Sequence, residues 1–459
     1  MNQEYMKNDS IPKLIFKMSL PMVISMVINA LYNIVDSYFV AKVSENAMTA
    51  ISLIFPIQYL ANAFGIGFGV GINAVVSYYL GAKKDKNASY SATIGVILSI
   101  VHGIILSIIC FLIAKPFIKA FTHNEEIIKY GLDYFYIVVL FAPIITVSMA
   151  LEKILQAVGK MKTTMVCMAI GAVVNIILDP IFITNLGMGI KGAAIATGIG
   201  LFVGLITYII VYLKVKLPLT ITFKEEEKDN SIKKLYTIGI PASLNLALPS
   251  FMIIALNKVL ASYNDVNVLI LGVYYKLQTF LYFIISGIVQ GIRPLLGYNY
   301  GAKCKDRVNK ILKITLILSL IVMTLGTILF ASIPDKLIGL FTTNDETIKM
   351  GAKAIRIISI GFIISAFSVV ISGFFEGISK GIPSLIISLI RYIVIIFIAY
   401  LLSIFFDENG VWSSFFVTEI LAFAVSLILF KIFYLKKDSV QSWVFSLFCI
   451  IVKIFNMNV

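Results

Sequence analysis

The sequence predicts an all-α integral membrane protein whose twelve transmembrane helices form two six-helix bundles, related as a parallel repeat. The first observation is composition: 59% of the 459 residues are hydrophobic, 14% are charged, and the mean hydropathy is +0.96. The second is the recurrence of apolar runs of about 20 residues, the length that crosses a bilayer as a helix. The third is a correspondence between the two halves of the chain. A soluble protein of this length would need a far larger charged surface.

Twelve apolar segments carry the predicted spans. The N-terminal stretch MNQEYMKNDSIPK is polar, and the apolar run after it is too long for a signal-peptide core, so we interpret that run as an uncleaved first span. The second and eighth segments exceed a straight crossing, which predicts tilt or an interfacial extension. The predicted spans cover residues 14–40, 48–79, 90–118, 128–152, 163–184, 191–213, 235–262, 267–298, 311–332, 352–374, 383–405 and 411–435.

The net charge of +14 indicates orientation in the membrane. With both termini on the cytoplasmic side, the loops on that side hold about 24 Lys and Arg residues and the opposite loops about nine, as the positive-inside rule requires. We therefore expect a multi-pass protein of the plasma membrane with both termini in the cytoplasm. The basic charge does not indicate a nucleic-acid partner.

An internal repeat relates residue 78 to residue 298, an offset of 220. YYLGAKKDK at 78–86 aligns with YNYGAKCKD at 298–306, and FTHNEEIIKYG at 121–131 aligns with FTTNDETIKMG at 341–351. Each half holds six predicted spans, an even number, so both halves have the same orientation in the membrane. Two such bundles around a central site suit transport by alternating access.

The repeat also predicts the domain organisation. We expect an N-terminal six-helix lobe at residues 1–225, a C-terminal six-helix lobe at residues 226–437 and a tail at residues 438–459. The charged loop in the 220s is the longest cytoplasmic connector and joins the two lobes. The apolar part of the tail is short for a crossing, so an interfacial helix is favoured over a thirteenth span.

Polar residues share one face of the first predicted span. Asn29, Asn33 and Asp36 are spaced i, i+4 and i+7, which places them on one side of a helix. A carboxylate inside a span costs about 2.5–3.5 kcal/mol on insertion scales, so its presence indicates a function or a specific partner. Asp36 falls in the half of the span away from the cytoplasmic lysines.

The fifth and sixth predicted spans carry polar residues at a similar depth. Asn175 and Asp179 lie four residues apart on one helix face, and Thr197 follows a few turns into the next span. Pro180 removes the hydrogen bond to the carbonyl of Ile176 and leaves that oxygen free. Asn33, Asp36, Asn175, Asp179 and Thr197 are therefore predicted to form a cation or proton coupling site.

Two readings of this acidic set stay open from the residues alone. Oxygen ligands suit a hard cation such as sodium, bound at Asp36 and Asp179, and two close carboxylates can hold a proton instead. Alternatively, the two acids only join neighbouring helices through hydrogen bonds. Of these readings, the coupling site is favoured.

Other polar residues are candidates for a substrate cavity. Lys276 and Arg391 lie deep in the eighth and eleventh predicted spans, and Glu419 lies at a depth that allows an ion pair with Lys276. Gln58 and His102 fall within the second and third spans, where His102 is either a buried proton carrier or an ordinary packed residue. Arg293 and Arg356 lie nearer span ends, where we expect their side chains to extend to the interface.

Other chemistries are disfavoured. The four cysteines show neither paired spacing nor a nearby histidine cluster, so neither a disulfide framework nor a metal site follows from them. GIGFGVG at 65–71 lacks the Lys-Ser/Thr ending of a phosphate loop, so close helix packing explains its glycines better. Without a nucleophile–base pair, an enzyme is not expected, and no cofactor is expected beyond a coupling proton or sodium ion.

Three segments resemble the multidrug and toxic compound extrusion (MATE) family: LYNIVDSYFV in the first span, LGAKKDK after the second and NIILDP in the fifth. The resemblance covers about residues 12–435. It implies a cation-coupled antiporter that expels organic cations and related drugs, with Asp36, Asn175, Asp179 and Thr197 as the cation or proton site. Some family members also have acids within the seventh and tenth spans, where this chain offers Lys258 and Arg356.

The leading hypothesis is export of small lipophilic organic cations in exchange for protons or sodium ions, by a monomer in contact with membrane lipid. The alternative is a flippase for lipid-linked oligosaccharides, in which basic cavity residues hold pyrophosphate. Lys276 and Arg391 would carry that alternative, and Asp36 would then be dispensable.

Overall fold

The computed structural model describes residues 3–226 and 229–435, which are almost entirely helical. Ten helices are long and apolar enough to cross a membrane, and the pair Glu125–Leu140 and Ala142–Ala157, bent by 47°, makes an eleventh span. The helical stretch Gly381–Leu435 is 55 residues long and breaks at Asp407, where φ is 49° and ψ is −141°. This break divides the stretch into two spans, so the prediction of twelve spans is confirmed.

The observed helices extend beyond most predicted spans. Short helices at Tyr5–Asn8 and Pro334–Gly339 lie outside the spans, and the predicted interfacial tail at 438–459 lies outside the described residues. The spans in chain order are Ile11–Ala41, Glu45–Gly81, Asp85–Phe121, Glu125–Leu140 with Ala142–Ala157, Met161–Asn185, Gly189–Lys214, Ser231–Ala261, Asp265–Gly301, Lys305–Ser332, Asp345–Gly377, and Gly381–Leu435, which holds the eleventh and twelfth.

The helix ends repeat at the offset that the sequence shows. The first span, Ile11–Ala41, corresponds residue for residue to the seventh, Ser231–Ala261, and the second, Glu45–Gly81, corresponds to the eighth, Asp265–Gly301. We call spans one to six the N-lobe and spans seven to twelve the C-lobe. Each is one copy of the repeat, which confirms the predicted architecture.

Side-chain caps fix where several spans begin. Ser44 accepts a hydrogen bond from the Ala47 N–H at 3.0 Å, and Asn264, at the corresponding position of the C-lobe, accepts one from Val266. Asn124 and Asn344 cap the fourth and tenth spans in the same way. Such caps satisfy N–H groups that have no partner within the helix, so both lobes define their helix starts by the same local chemistry.

The two lobes are in contact over one half of their length. We call the end of the bundle that carries Ile11 and Leu435 the terminal side and the opposite end the far side. Ser243 donates to the carbonyl of Phe64 at 3.2 Å, and Ser19 donates to that of Ile288 at 3.3 Å. The interlobe hydrogen bonds of the described residues lie in the terminal-side half. Among the described residues, hydrogen bonds therefore join the two lobes on the terminal side and not on the far side.

Two glycines let the lobes approach closely at the terminal side. A Cβ on Gly81 would lie 1.9 Å from the carbonyl oxygen of Tyr298, and a Cβ on Gly301 would lie 2.0 Å from that of Tyr78. These two contacts are related by the repeat, since both members of each pair correspond. Only glycine fits such a backbone-to-backbone crossing.

Replacing Gly81 by alanine is expected to open the terminal side. The added methyl group cannot be accommodated by a side-chain rotation, because the atom it meets is backbone. Spin labels on cysteines at the exposed positions of Lys162 and Lys310, in a variant without native cysteines, report the interlobe distance. We expect a larger population of long distances than in the parent protein.

The control is Gly272→Ala on the eighth span, because a Cβ at Gly272 meets no atom within 4 Å. Its distance distribution should match that of the parent. An unchanged distribution for Gly81→Ala would show that the crossing is not needed for closure.

Candidate functional site

The acidic cluster forms between the first, fifth and sixth spans. Asp179 is completely buried, and Asn175, one turn before it, donates to Asp179 Oδ1 at 3.3 Å. The same amide nitrogen lies 3.4 Å from Thr197 Oγ1 of the sixth span. Asp36 reaches the cluster from the first span, where its carboxylate interacts electrostatically with Tyr32 beside Asp179. Four of the five predicted coupling residues therefore lie together.

The fifth span changes its winding immediately after Asp179. The α-helix Met161–Asp179 continues as a π-helical turn, Pro180–Asn185. Pro180 has no N–H to donate to the preceding turn, and a wider turn accommodates that loss. The sequence NIILDP thus places an acid at a point where the regular helix ends inside the protein.

Several oxygen atoms of the cluster have no partner among the described residues. Asp36 Oδ1, Asp179 Oδ2 and Asn175 Oδ1 are buried and accept no hydrogen bond there. A buried carboxylate that lacks a donor is unfavourable unless it is protonated or binds a cation. The donor set, consisting of carboxylate, amide and hydroxyl oxygens, fits either a proton or a hard monovalent cation such as sodium.

Two tyrosines complete this site and were not predicted. The hydroxyl of Tyr32 lies beside Thr197 and near both carboxylates, and Tyr134 of the fourth span is 3% exposed and near the same carboxylates. Tyr32 precedes Asp36 by four residues, so the same helical-spacing argument that selected Asn29 could also have predicted Tyr32. Their hydroxyl groups add two hydrogen-bonding groups to the cluster.

Asn33 lies outside the cluster, which corrects its predicted place there. Its side chain is exposed and donates to Asn29, to the carbonyl oxygen at 2.7 Å and to Oδ1 at 3.0 Å. At about 100° per residue, Tyr32 lies about 40° from Asp36 around the helix, and Asn33 lies about 60° from Asp36 in the other direction. The first span turns the Tyr32 side towards the fifth and sixth spans, and Asn33 therefore points away.

A cavity of about 130 Å³ adjoins the acidic cluster inside the N-lobe. Its polar lining includes Tyr32, Asn175, Thr197 and a glutamate of the fourth span, Glu152. Gln58 lies beside Tyr134 of the acidic site and lines a separate, smaller space of about 20 Å³. The predicted role of Gln58 in a substrate cavity stays a prediction.

In the C-lobe, Arg391 pairs with Glu419. The guanidinium donates through Nη2 to Glu419 Oε1 at 2.9 Å and through Nε to the same oxygen at 3.0 Å. Tyr282 and Tyr392 lie at 3.5 and 3.3 Å from its nitrogens. This geometry corrects the predicted pair of Lys276 with Glu419.

Lys276 is directed elsewhere. Its side chain is exposed, and its ammonium lies 5.7 Å from the ring centroid of Phe341, near the far-side end of the C-lobe. The long side chain carries its charge from the span towards the interface. Lys276 therefore does not provide a buried positive charge within the described structure.

A second buried pair of the C-lobe corrects the expectation for Arg293. Arg293 is 6% exposed and donates to Glu376 Oε2 at 2.6 Å, so it does not extend to the interface. Glu376 also accepts from Asn245 at 2.9 Å and from Ser384 at 3.1 Å. The tenth span thus carries a buried acid, but that acid is fully engaged. Arg356, in contrast, is exposed as expected.

His102 lies at the contact between lobes. Its Nε2 is 2.9 Å from the hydroxyl of Tyr236 on the seventh span, and the rings of Phe64 and Phe68 meet it edge-on. This half of the interface is closed in the structure. Its proposed part in a substrate cavity or in proton transfer stays a prediction.

The interior therefore has an uneven charge balance. Each buried basic residue described above faces an acid, namely Arg391 with Glu419 and Arg293 with Glu376. Asp36 and Asp179 have no basic partner in the described part of the chain. When Asp36 and Asp179 are ionised, the interior therefore has a net negative charge, and it belongs to the N-lobe.

Twelve spans in two parallel repeats, lobes that are hydrogen-bonded to each other on one side, and an acid pair inside one lobe are the architecture of a membrane transporter. The family described as MatE matches residues 21–181 and again residues 241–401, one match in each repeat. The chain belongs to the MatE family, the family to which its sequence bears a resemblance.

Individual relatives agree with this assignment. The chain is 27% identical over 433 residues to the multidrug export protein MepA of Staphylococcus aureus (strain MRSA252), covering 93% of this chain and 95% of MepA. MepA of Staphylococcus haemolyticus is 26% identical over 431 residues, with the same coverage.

Solved structures show the same fold. An outward-facing multidrug resistance MATE family transporter superposes with a TM-score of 0.88 at 23% identity, covering 94% of this chain and 98% of that one. A Pyrococcus furiosus transporter of the MOP superfamily, whose binding pocket is described as having reverse polarity, gives 0.88 at 24% identity, covering 95% and 99%.

Proposed function

We propose that this protein exports small lipophilic organic cations in exchange for protons or sodium ions. The observation that carries the proposal is the acid pair Asp36 and Asp179, the buried charges without a basic partner among the described residues. The named relatives are multidrug export proteins, which agrees with this substrate class. The same interior charge disfavours anionic substrates.

In the proposed cycle, the structure is the state open to the outside. The positive-inside distribution supports a cytoplasmic terminal side in the plasma membrane. A proton or sodium ion enters from the far side and neutralises the acid pair, which changes the packing of the first span and releases the drug outward. One charge crossing 100 mV supplies about 2.3 kcal/mol, or about fifty-fold accumulation.

The flippase alternative is less well supported. It requires free basic groups for pyrophosphate, but Arg391 is engaged by Glu419, and Lys276 is exposed near the far-side end. A pyrophosphate group at Arg391 would have to displace a carboxylate bound through two nitrogens. The alternative predicts loss of function on neutralising Lys276 and Arg391, with Asp36 dispensable.

The test is ethidium efflux from cells that lack other pumps. Asp36→Asn is expected to reduce efflux to the level of cells without the protein, because it removes one of the two titratable or cation-binding groups. Collapsing the proton gradient in sodium-free buffer should stop efflux by the parent if protons drive it. Restoring efflux with a sodium gradient would identify sodium instead.

Asp335→Asn is the matched control, because Asp335 is exposed at the far side and pairs with Arg356 at 3.2 Å. Its efflux should equal that of the parent. If Asp36→Asn pumps normally while its abundance in the membrane is unchanged, the coupling role of the acid pair is wrong. Absence of efflux by the parent, at normal abundance, would contradict the proposed substrate class.

A further inference from the structure

The N-lobe cavity is elongated along the spans. Its lining follows the fifth span from Asn175 to Cys167, about 12 Å of helix, and the sixth span from Thr197 to Tyr208, about 16 Å. The fifth span starts at the terminal side and the sixth span ends there. The cavity therefore leads from the acidic cluster towards the terminal side, within a single lobe.

Glu152 lies where this cavity approaches the terminal side. It is five residues from the end of the fourth span at Ala157, about 8 Å along the helix, a depth similar to that of Cys167. Its Oε1 accepts from Lys153 Nζ at 2.8 Å and from Gln156 Nε2 at 2.7 Å. Its side chain is 13% exposed, so the carboxylate remains accessible from the cavity.

Lys153 connects this carboxylate to the other lobe. Its side chain is 3% exposed, and its ammonium also donates to Gln290 Oε1 of the eighth span at 3.2 Å. Gln290 belongs to the C-lobe, and the contact lies in the closed, terminal-side half of the interface. One ammonium group thus joins a cavity carboxylate to the surface along which the lobes separate.

The other ionisable groups that face Glu152 are few. Cys167 of the fifth span and Tyr208 of the sixth span lie within electrostatic range of its carboxylate, and Tyr32 of the first span lines the same cavity. Within the described residues, Lys153 is the basic group at this end of the cavity. Its charge is therefore the main one that a cation beside Glu152 would oppose.

We propose that Glu152 is a second binding position for the coupling cation, and that Lys153 transmits its occupancy to the interlobe contact at Gln290. The proposal rests on the proposed cation coupling of the N-lobe. A cation that moves down the cavity from the acidic cluster binds the Glu152 carboxylate in place of the ammonium group. Lys153 thereby loses its anionic partner and moves away, its hydrogen bond to Gln290 is lost, and the terminal side can open.

Cation binding is tested on purified protein in nanodiscs, with sodium titrated calorimetrically at constant pH against choline as the inert salt. A parallel titration with acid in sodium-free buffer tests protons. Glu152→Gln is expected to weaken binding of the active ion roughly tenfold, because a nearby negative charge is lost. Lys153→Met should strengthen binding by a similar factor, because the competing positive charge is removed.

The conformational part is tested with spin labels at positions 162 and 310. In the parent protein, saturating cation should raise the population of long interlobe distances. Lys153→Met binds the cation more tightly but should show no such rise, a separation that a merely structural role of the pair does not produce. Glu125→Gln, the same exchange at the exposed far-side start of the fourth span, should behave as the parent in both measurements.

A double variant protects the test from misfolding. Glu152→Gln alone leaves a buried ammonium without its acid, whereas Glu152→Gln with Lys153→Met removes both charges. The two electrostatic effects on affinity cancel in the double variant, so it should bind the cation about as the parent does but show no conformational response. If it responds as the parent does, the inference is wrong while the coupling role of Asp36 stands. If the parent responds to neither ion, the proposed coupling itself fails.

Discussion

Asp179→Asn is expected to abolish coupled drug accumulation while raising the thermal stability of the protein. Asp179 is completely buried, with one oxygen lacking any partner in the described structure. A carboxylate inside a span costs about 2.5–3.5 kcal/mol, and an amide of the same size costs less. The amide cannot release a proton or neutralise a cation, so about fifty-fold accumulation per exchanged charge is lost.

The opposite signs of the two effects distinguish this explanation from a structural one. An aspartate that only joins helices would lose stability on replacement, because its hydrogen bonds would weaken. Melting temperature in detergent and ethidium accumulation in everted vesicles measure the two quantities. Asp133→Asn is the control, since Asp133 pairs with Lys191 at 3.4 Å on the far-side rim of the same lobe. A lower melting temperature for Asp179→Asn would contradict the proposed role.

Breaking the Arg391–Glu419 pair is expected to destabilise the C-lobe strongly. Glu419→Gln leaves a guanidinium that is 9% exposed without its carboxylate, at a cost of about 3–5 kcal/mol. Arg391→Met leaves an unpaired acid at a similar cost. The double variant removes both charges and should recover most of the loss, because a neutral pair needs no compensation.

A double-mutant cycle of unfolding free energies in mild detergent measures this coupling. Tyr282 and Ser368 contact the pair and should stay unchanged in all variants, so that only the charges differ. If the two single changes are additive in the double variant, the pair contributes no specific interaction. Arg391 would then be free to act on substrate, which would revive the flippase alternative.

The spans could be predicted from the sequence because each membrane crossing needs about 20 apolar residues, whichever helices it packs against. The repeat also constrains where helices begin. Helices of the two lobes begin at corresponding residues where caps such as Asn124 and Asn344 recur. The acids Asp36 and Asp179 stand out because a charge is costly in an apolar run. These features depend on local sequence, and for that reason they could be predicted.

Which side chains pair depends on how each helix is rotated about its axis, and this rotation cannot be derived from the sequence alone. Arg293 and Glu376 meet across 83 positions of the chain, and near span ends each is typical of an interfacial residue. Lys276 and Arg391 are equal candidates for a buried basic residue by sequence, but the rotation of the eighth span directs Lys276 outward. The predicted fourth span ends at Glu152, but the observed helix continues to Ala157, and Lys153, the residue after Glu152, is buried.

The matching helix ends of the two lobes have a consequence for the order of the chain. Ile11 and Lys214 begin and end the N-lobe on one face of the bundle, and Ser231 and Leu435 do the same for the C-lobe. The connector between the lobes thus starts and ends on the same face of the bundle as Ile11 and Leu435. A permuted polypeptide with the C-lobe encoded first would meet no topological obstacle. The fold fixes how the two lobes pack against each other but does not require that the N-lobe come first in the chain.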